Sequence, residues 1–216
     1  MGKEYDRISS DIQCLNVRKL PATLISNRGA HCIVWQTGGY KKHRKFNLDF
    51  VIKRHRLSCT DREVQIYQRD YLKLKQSLQD IIPSAIFVRT RVDGEPNLMV
   101  LARTYIPWFN IANPSNEEEA LPLLGKLKKA RTQLERFVSV AREWRDRESK
   151  VIDLFGIDNL VLDKNHQIRY LDSFGVFFHE DVLHLIDGVD PELEEKIDLS
   201  LQRMEYLKYL LKKSRP

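Results

Sequence analysis

The stretch that decides the fold is Asp153-Leu154-Phe155-Gly156-Ile157-Asp158-Asn159-Leu160-Val161-Leu162-Asp163, followed nine residues later by Asp172-Ser173-Phe174-Gly175. Asn159–Asp163 and Ile168–Asp172 are short apolar runs on either side of the turn-forming Lys164-Asn165-His166. This pattern predicts a small antiparallel hairpin. The two ends of a hairpin lie side by side. Asn159, leading into one strand, and Asp172, leaving the other, therefore converge on one point. An amide oxygen and a carboxylate make a hard oxygen pair that suits Mg²⁺. Asp153, just upstream, is placed to reach the same point as a base.

Upstream of this segment the chain changes character near residue 104. Residues 21–56 read as strands, with ATLISN and CIVWQT flanking the turn-like Arg28-Gly29-Ala30-His31. A basic tip, Lys41-Lys42-His43-Arg44-Lys45, precedes the apolar run that leads to Phe50-Val51-Ile52-Lys53. A helix starts at Thr60, because Val64, Tyr67, Tyr71, Leu74 and Leu78 recur at spacings of three and four. Ala85–Arg91 and Leu98–Thr104 read as strands joined by the turn Val92-Asp93-Gly94-Glu95.

After Pro107 and Asn113-Pro114-Ser115 the pattern is helical from Asn116 to about Lys150. It is helical again from about Pro191, where Ile197, Leu201, Met204, Leu207 and Leu211 form a stripe opposite lysines and arginines. Strands and helices do not alternate regularly, so the expected class is α+β and a doubly wound parallel sheet is disfavoured. The expected division is 1–103, strand-rich with one helix, and 104–216, helical with the hairpin.

Composition narrows the function classes without choosing one. The 216 residues have 42% hydrophobic and 31% charged content, an ordinary globular balance. No apolar run of about 18 residues is present, so no membrane-spanning helix is expected. The opening MGKEYDRISS has no apolar core after its charges, so no secretory signal is expected. Cys14, Cys32 and Cys59 are odd in number and match no redox or zinc pattern, which suits a reducing compartment. A net charge of +6 permits an anionic partner: a nucleotide, a phosphorylated glycan, a nucleic acid or an acidic membrane surface. No groove-reading motif accompanies that charge, which ranks nucleic acid last.

The order of these residues resembles the protein-kinase-like superfamily. In that family a catalytic Asp, an Asn, a hairpin and then Asp-Phe-Gly form the catalytic and metal-binding segment. The resemblance implies a reduced two-lobed kinase-like fold that uses ATP and Mg²⁺. It casts Asp153 as the catalytic residue and Asn159 and Asp172 as metal ligands. Lys53 resembles the third-strand lysine of Val-Ala-Ile-Lys that holds the phosphates, and Glu63 its ion-pair partner. Gly29 stands where the glycine-rich loop would be. Leu101–Arg103 stand where the hinge would offer backbone groups to adenine, so Leu101 and Arg103 join the expected nucleotide site.

The departures point to a subgroup. Asp153 to Asn159 is six residues where the family has five, and Val151-Ile152 replaces His-Arg. Ser173 is inserted into Asp-Phe-Gly, and only about 40 residues follow Gly175, leaving no peptide-substrate platform. These features are similar to small bacterial kinase-like proteins, namely the PhoP regulatory network protein family and the lipopolysaccharide core kinases. That likeness implies phosphoryl transfer to a hydroxyl of a small or glycan acceptor, with a lipopolysaccharide core sugar as the best single case. It also implies a cytoplasmic protein, with peripheral contact at the anionic inner face of the inner membrane as the alternative. An inactive kinase-like module that binds a nucleotide or a partner is the second reading.

Several residues carry two readings at this stage. Thr60-Asp61-Arg62-Glu63 has the spacing of a capping box, which competes with a Lys53–Glu63 ion pair. Asp158-Asn159 also suits an ordinary turn, and Asp172-Ser173 a helix cap.

Overall fold

The computed structural model describes residues 22–27, 31–37, 40–42, 46–48, 50–180 and 190–214. These build a mixed α+β protein. Its first half centres on an antiparallel five-stranded sheet in the order β1-β2-β5-β7-β6. The strands are β1 (Ala22–Ser26), β2 (Cys32–Thr37), β5 (Phe50–His55), β6 (Ala85–Val92) and β7 (Glu95–Arg103). A separate small hairpin, β3 (Tyr40–Lys42) and β4 (Phe46–Leu48), carries part of the basic tip. Residues 43–45 of that tip lie outside the described residues.

β6 and β7 pair along their whole length, with Val92 opposite Glu95. Their turn is a two-residue connection with Asp93 at φ 53° and Gly94 at φ 87°. Asp-Gly tolerates those left-handed angles, and such turns match the twist of a hairpin.

Helix α1 (Asp61–Leu78) begins where the sequence places it. The Thr60 hydroxyl accepts the Glu63 N–H, and the Glu63 carboxylate accepts the Thr60 N–H at 2.7 Å. This reciprocal cap satisfies donors that a helix start otherwise leaves open. The apolar stripe of α1 divides between two cores. Val64 packs with Cys32, Cys59, Leu98, Val100, Ala102 and Phe174, while Leu74 and Leu78 join the larger core of the second half.

The helical second half differs from a single run. It consists of α2 (Glu117–Lys126) and α3 (Lys128–Glu148), broken at Leu127 with φ −94° and ψ 73°. Pro122 inside α2 lacks an N–H for the ladder, and Gly125 lowers helix propensity just before the break. α4 (Pro191–Lys213) packs on α2 and α3, so the stripe with Ile197, Met204 and Leu207 is buried within the protein. No helix among the described residues is long and apolar enough to cross a membrane.

The expected hairpin is β10 (Leu160–Asp163) and β11 (Ile168–Tyr170), extended on one side by β8 (Pro107–Phe109). β9 (Lys150–Ile152) pairs with β12 (Phe177–His179), a two-stranded ribbon that the sequence pattern does not foreshadow. Buried Arg169 bonds Asp163 at 2.8 Å and lies 4.2 Å from the Tyr105 ring centroid. The ion pair ties the two hairpin strands together, and the ring contact joins the hairpin to the segment connecting the two halves.

Candidate functional site

A cleft of about 600 Å³ runs between the sheet and the hairpin, a size suited to a nucleotide. Val34, Val51, Lys53 and Ala102 line it from the sheet. Asp153, Gly156, Asp158, Asn159, Leu171 and Asp172 line it from the second half. Of the eight sequence-based candidates, Lys53, Arg103, Asp153, Asn159 and Asp172 line this one cleft.

Asp153 follows β9, where its N–H continues the ribbon by donating to the Val176 carbonyl at 2.9 Å. The loop after it is held from several sides. The Tyr170 hydroxyl donates to the Asp153 carbonyl at 3.0 Å, and the Ser200 hydroxyl accepts the Leu154 N–H at 3.1 Å. The Arg203 guanidinium donates to the carbonyls of Leu154 and Phe155. The Asp153 carboxylate is buried and accepts the Phe155 N–H at 2.8 Å. Burial, and then the negative charge of Asp172, push its pKa up to about 6, against the pull of the Phe155 and Gly156 N–H groups and Lys196. A carboxylate of this kind is poised to exchange a proton near neutral pH.

The hairpin brings Asn159 and Asp172 together as its topology requires. Leu160 pairs with Tyr170, and the Leu171 N–H donates to the Asn159 carbonyl at 2.8 Å. The Asn159 side-chain amide donates to the Asp153 carbonyl at 3.2 Å, which fixes the carboxamide and leaves its oxygen without a donor among the described residues. Gly156 makes room for it. A Cβ there would stand 2.5 Å from the Asn159 Oδ1, closer than real contacts allow. Asp172 accepts the Ser173 N–H at 2.6 Å through one oxygen, Oδ1. Among the described residues no group of three or more His, Cys, Asp or Glu side chains is gathered to hold a metal. One amide oxygen and one carboxylate nevertheless fit Mg²⁺, which commonly takes one or two protein ligands and completes its shell with phosphate and water oxygens.

Lys53 projects from the middle of β5, between Val34 of β2 and Val100 of β7. Its ammonium donates to the Leu171 carbonyl at 2.5 Å and to the Ser173 hydroxyl at 3.2 Å. It is therefore anchored to the residues on either side of Asp172. The expected Lys53–Glu63 pair is not formed. Glu63 is exposed, and its carboxylate is taken by the Thr60 N–H and hydroxyl, whose hydrogen bonds hold its pKa down. Of the two readings of Glu63, the geometry selects the cap, because the cap partners are local and Lys53 has found others.

The expected hinge contacts shift along the chain. Leu101 lies between Ile52 and Ile86 in the sheet and does not line the cleft. The Arg103 N–H is spent on the Ser84 carbonyl at 2.9 Å, although Arg103 borders the cleft. The strand ends there, and Thr104 and Tyr105 line the cleft beyond it. The Thr104 hydroxyl oxygen is buried and has no hydrogen-bond partner among the described residues. Gly29 lies outside the described residues. Trp108 is half-exposed and packs on His166 with ring centroids 4.6 Å apart.

Three contributors escape a sequence reading. Ser173 supplies a partner for Lys53. Phe174 leaves the cleft and fills the sheet core between His55 and Tyr67, at centroid distances of 5.3 and 5.4 Å. His31 packs against Gly175, whose φ of 59° suits glycine. Burial lowers the His31 pKa, opposed by the charge of Asp172. No linear signal marks these residues, although a serine inside Asp-Phe-Gly hints at an altered lysine anchor.

No protein-family model and no curated protein matches this chain.

Proposed function

We propose that this chain is a reduced two-lobed kinase-like phosphotransferase that moves the γ-phosphoryl group of ATP to a hydroxyl acceptor. One observation carries the reading: Lys53, Asp153, Asn159 and Asp172 converge on one cleft, with Lys53 tied to the backbone beside Asp172. The described residues up to 103 form the nucleotide lobe, and those from 104 onward the helical lobe. Val51, Ala102 and Leu171 offer apolar contact to adenine, and the Thr104–Tyr105 segment offers polar groups. Lys53 faces the phosphates. Asn159 and Asp172 would hold Mg²⁺, which neutralises phosphate charge when bound.

Asp153 orients the acceptor hydroxyl and accepts its proton as the acceptor oxygen bonds to the γ-phosphorus. The bridging bond to the β-phosphate breaks, and ADP leaves with that electron pair. A lipopolysaccharide core sugar is the acceptor class favoured by resemblance. A cytoplasmic setting with peripheral contact at the inner face of the inner membrane would bring such an acceptor within reach.

The test is transfer of labelled γ-phosphate to core oligosaccharides in the presence of Mg²⁺. Transfer by the wild type and its loss in Asp153→Asn would support the reading. ATP binding without turnover on any hydroxyl acceptor would favour a nucleotide-binding module instead. That second reading draws on two observations. Glu63 is committed to its helix cap, and Asp172 is hydrogen-bonded within its own turn.

A further inference from the structure

The loop from Asp153 to Asn159 contains no Lys or Arg. The same wall of the cleft carries the carboxylates of Asp153, Asp158 and Asp172. A terminal phosphate brought against Asp153 would meet like charge there, and beyond the Mg²⁺ that Asn159 and Asp172 would hold, a protein cation on that side would offset it. Lys53 stands on the sheet wall. Arg203 lies beneath the loop with its guanidinium committed to the Leu154 and Phe155 carbonyls.

Among the described residues, Lys196, from the second turn of α4, is the cation that the second half presents to the cleft. Its side chain is only 19% exposed, and its ammonium lies 5.9 Å from the centroid of the Phe155 ring. Its carboxylate partner, Glu192, is one turn away at 2.5 Å and 74% exposed. Helix pairs of this spacing with an exposed partner such as Glu192 are weak, so a phosphate can displace the carboxylate. The charge of Lys196 bears on Asp153 and on His31, two residues from opposite halves of the cleft.

We propose that Lys196 leaves Glu192 to contact the terminal phosphate of the bound nucleoside triphosphate, supplying the positive charge that the loop beside Asp153 lacks. The proposal rests on the phosphotransferase reading and adds to it a residue far outside the motif.

The experiment compares Mg·ATP and Mg·ADP binding by calorimetry in the wild type, Lys196→Met, Lys196→Arg and Glu192→Gln. Loss of one charged contact to phosphate should weaken ATP binding about tenfold in Lys196→Met and leave ADP binding within about twofold. Lys196→Arg should retain most of the ATP preference. Glu192→Gln should strengthen ATP binding, because the competing carboxylate is gone. Equal weakening of ATP and ADP in Lys196→Met, or no change in either, would overturn the proposal. A wild type that binds neither nucleotide would instead overturn the phosphotransferase reading itself.

Discussion

The ammonium of Lys53 lies 3.2 Å from the hydroxyl oxygen of Ser173, the residue inserted between Asp172 and Phe174. A second bond to the Leu171 carbonyl completes the anchor. The lysine is thus positioned by the segment that carries Asp172 and not by a glutamate on α1. Replacing Ser173 with Ala leaves the half-buried ammonium one partner short. Stability should fall by about 1 kcal/mol, while the Leu171 bond keeps nucleotide affinity within about threefold. Chemical denaturation and calorimetry on the same variant check both parts.

Glu63→Ala separates the two roles that its sequence position allows. Loss of the Glu63 half of the capping box should cost about 0.5–1.5 kcal/mol of stability, while the Thr60 hydroxyl still accepts the backbone N–H of residue 63. Nucleotide affinity should be unchanged, since the carboxylate bonds Thr60 and not Lys53. An affinity loss without destabilisation would show that Glu63 serves the phosphate site after all.

Gly156→Ala tests how the Asn159 carboxamide is held. The added methyl would lie 2.5 Å from Oδ1 and 2.8 Å from Nδ2, so the amide must move. Overpacking of this kind costs about 1–3 kcal/mol. Mg²⁺-dependent nucleotide binding should fall alongside, matching Asn159→Ala. Unaltered Mg²⁺ dependence in both variants would remove Asn159 from the metal site.

Asp153 links activity to stability through pH. Its pKa is about 6 in the fold against an ordinary value of 3.8. The folded state holds the proton more tightly than the unfolded chain. This contribution to stability is fully present below pH 3.8 and is lost as pH rises through about 6. The deficit above that window is on the order of 2–3 kcal/mol. Asp153→Asn should therefore be more stable than the wild type at pH 8, with the gain vanishing below pH 4 (about the ordinary carboxylate value). The same variant should lose phosphoryl transfer, and wild-type activity should fall as pH drops through about 6. Thermal melts across pH and a rate profile measure the two effects independently.

Local features were legible in the sequence and long-range ones were not. The hairpin that joins Asn159 to Asp172 is written in two adjacent apolar runs and a turn, so their convergence follows from neighbouring residues. The start of α1 is equally local, but Thr60-Asp61-Arg62-Glu63 satisfies a cap and an ion pair alike. Only the placement of Lys53 against Leu171, 118 residues away, decides between them. The position of the connecting segment depended on sheet register. Pairing of β7 with strands on both sides commits Leu101 to the sheet and moves the cleft contacts to Thr104 and Tyr105. The three-residue strands β9 and β12 are too short to show a period, yet they set Asp153 in place. Lys196 lies beside an apolar stripe that reads as ordinary helix packing, and only the approach of α4 to the loop brings it to the cleft.

The proposed metal–nucleotide site is built on Asp172. It is tested most directly by calorimetric titration of ATP into the wild type and Asp172→Ala, each with Mg²⁺ and with chelator. The account expects wild-type binding that requires Mg²⁺ and weakens about tenfold or more without the carboxylate. Wild-type binding indifferent to both Mg²⁺ and the substitution, or no binding at all, would contradict it.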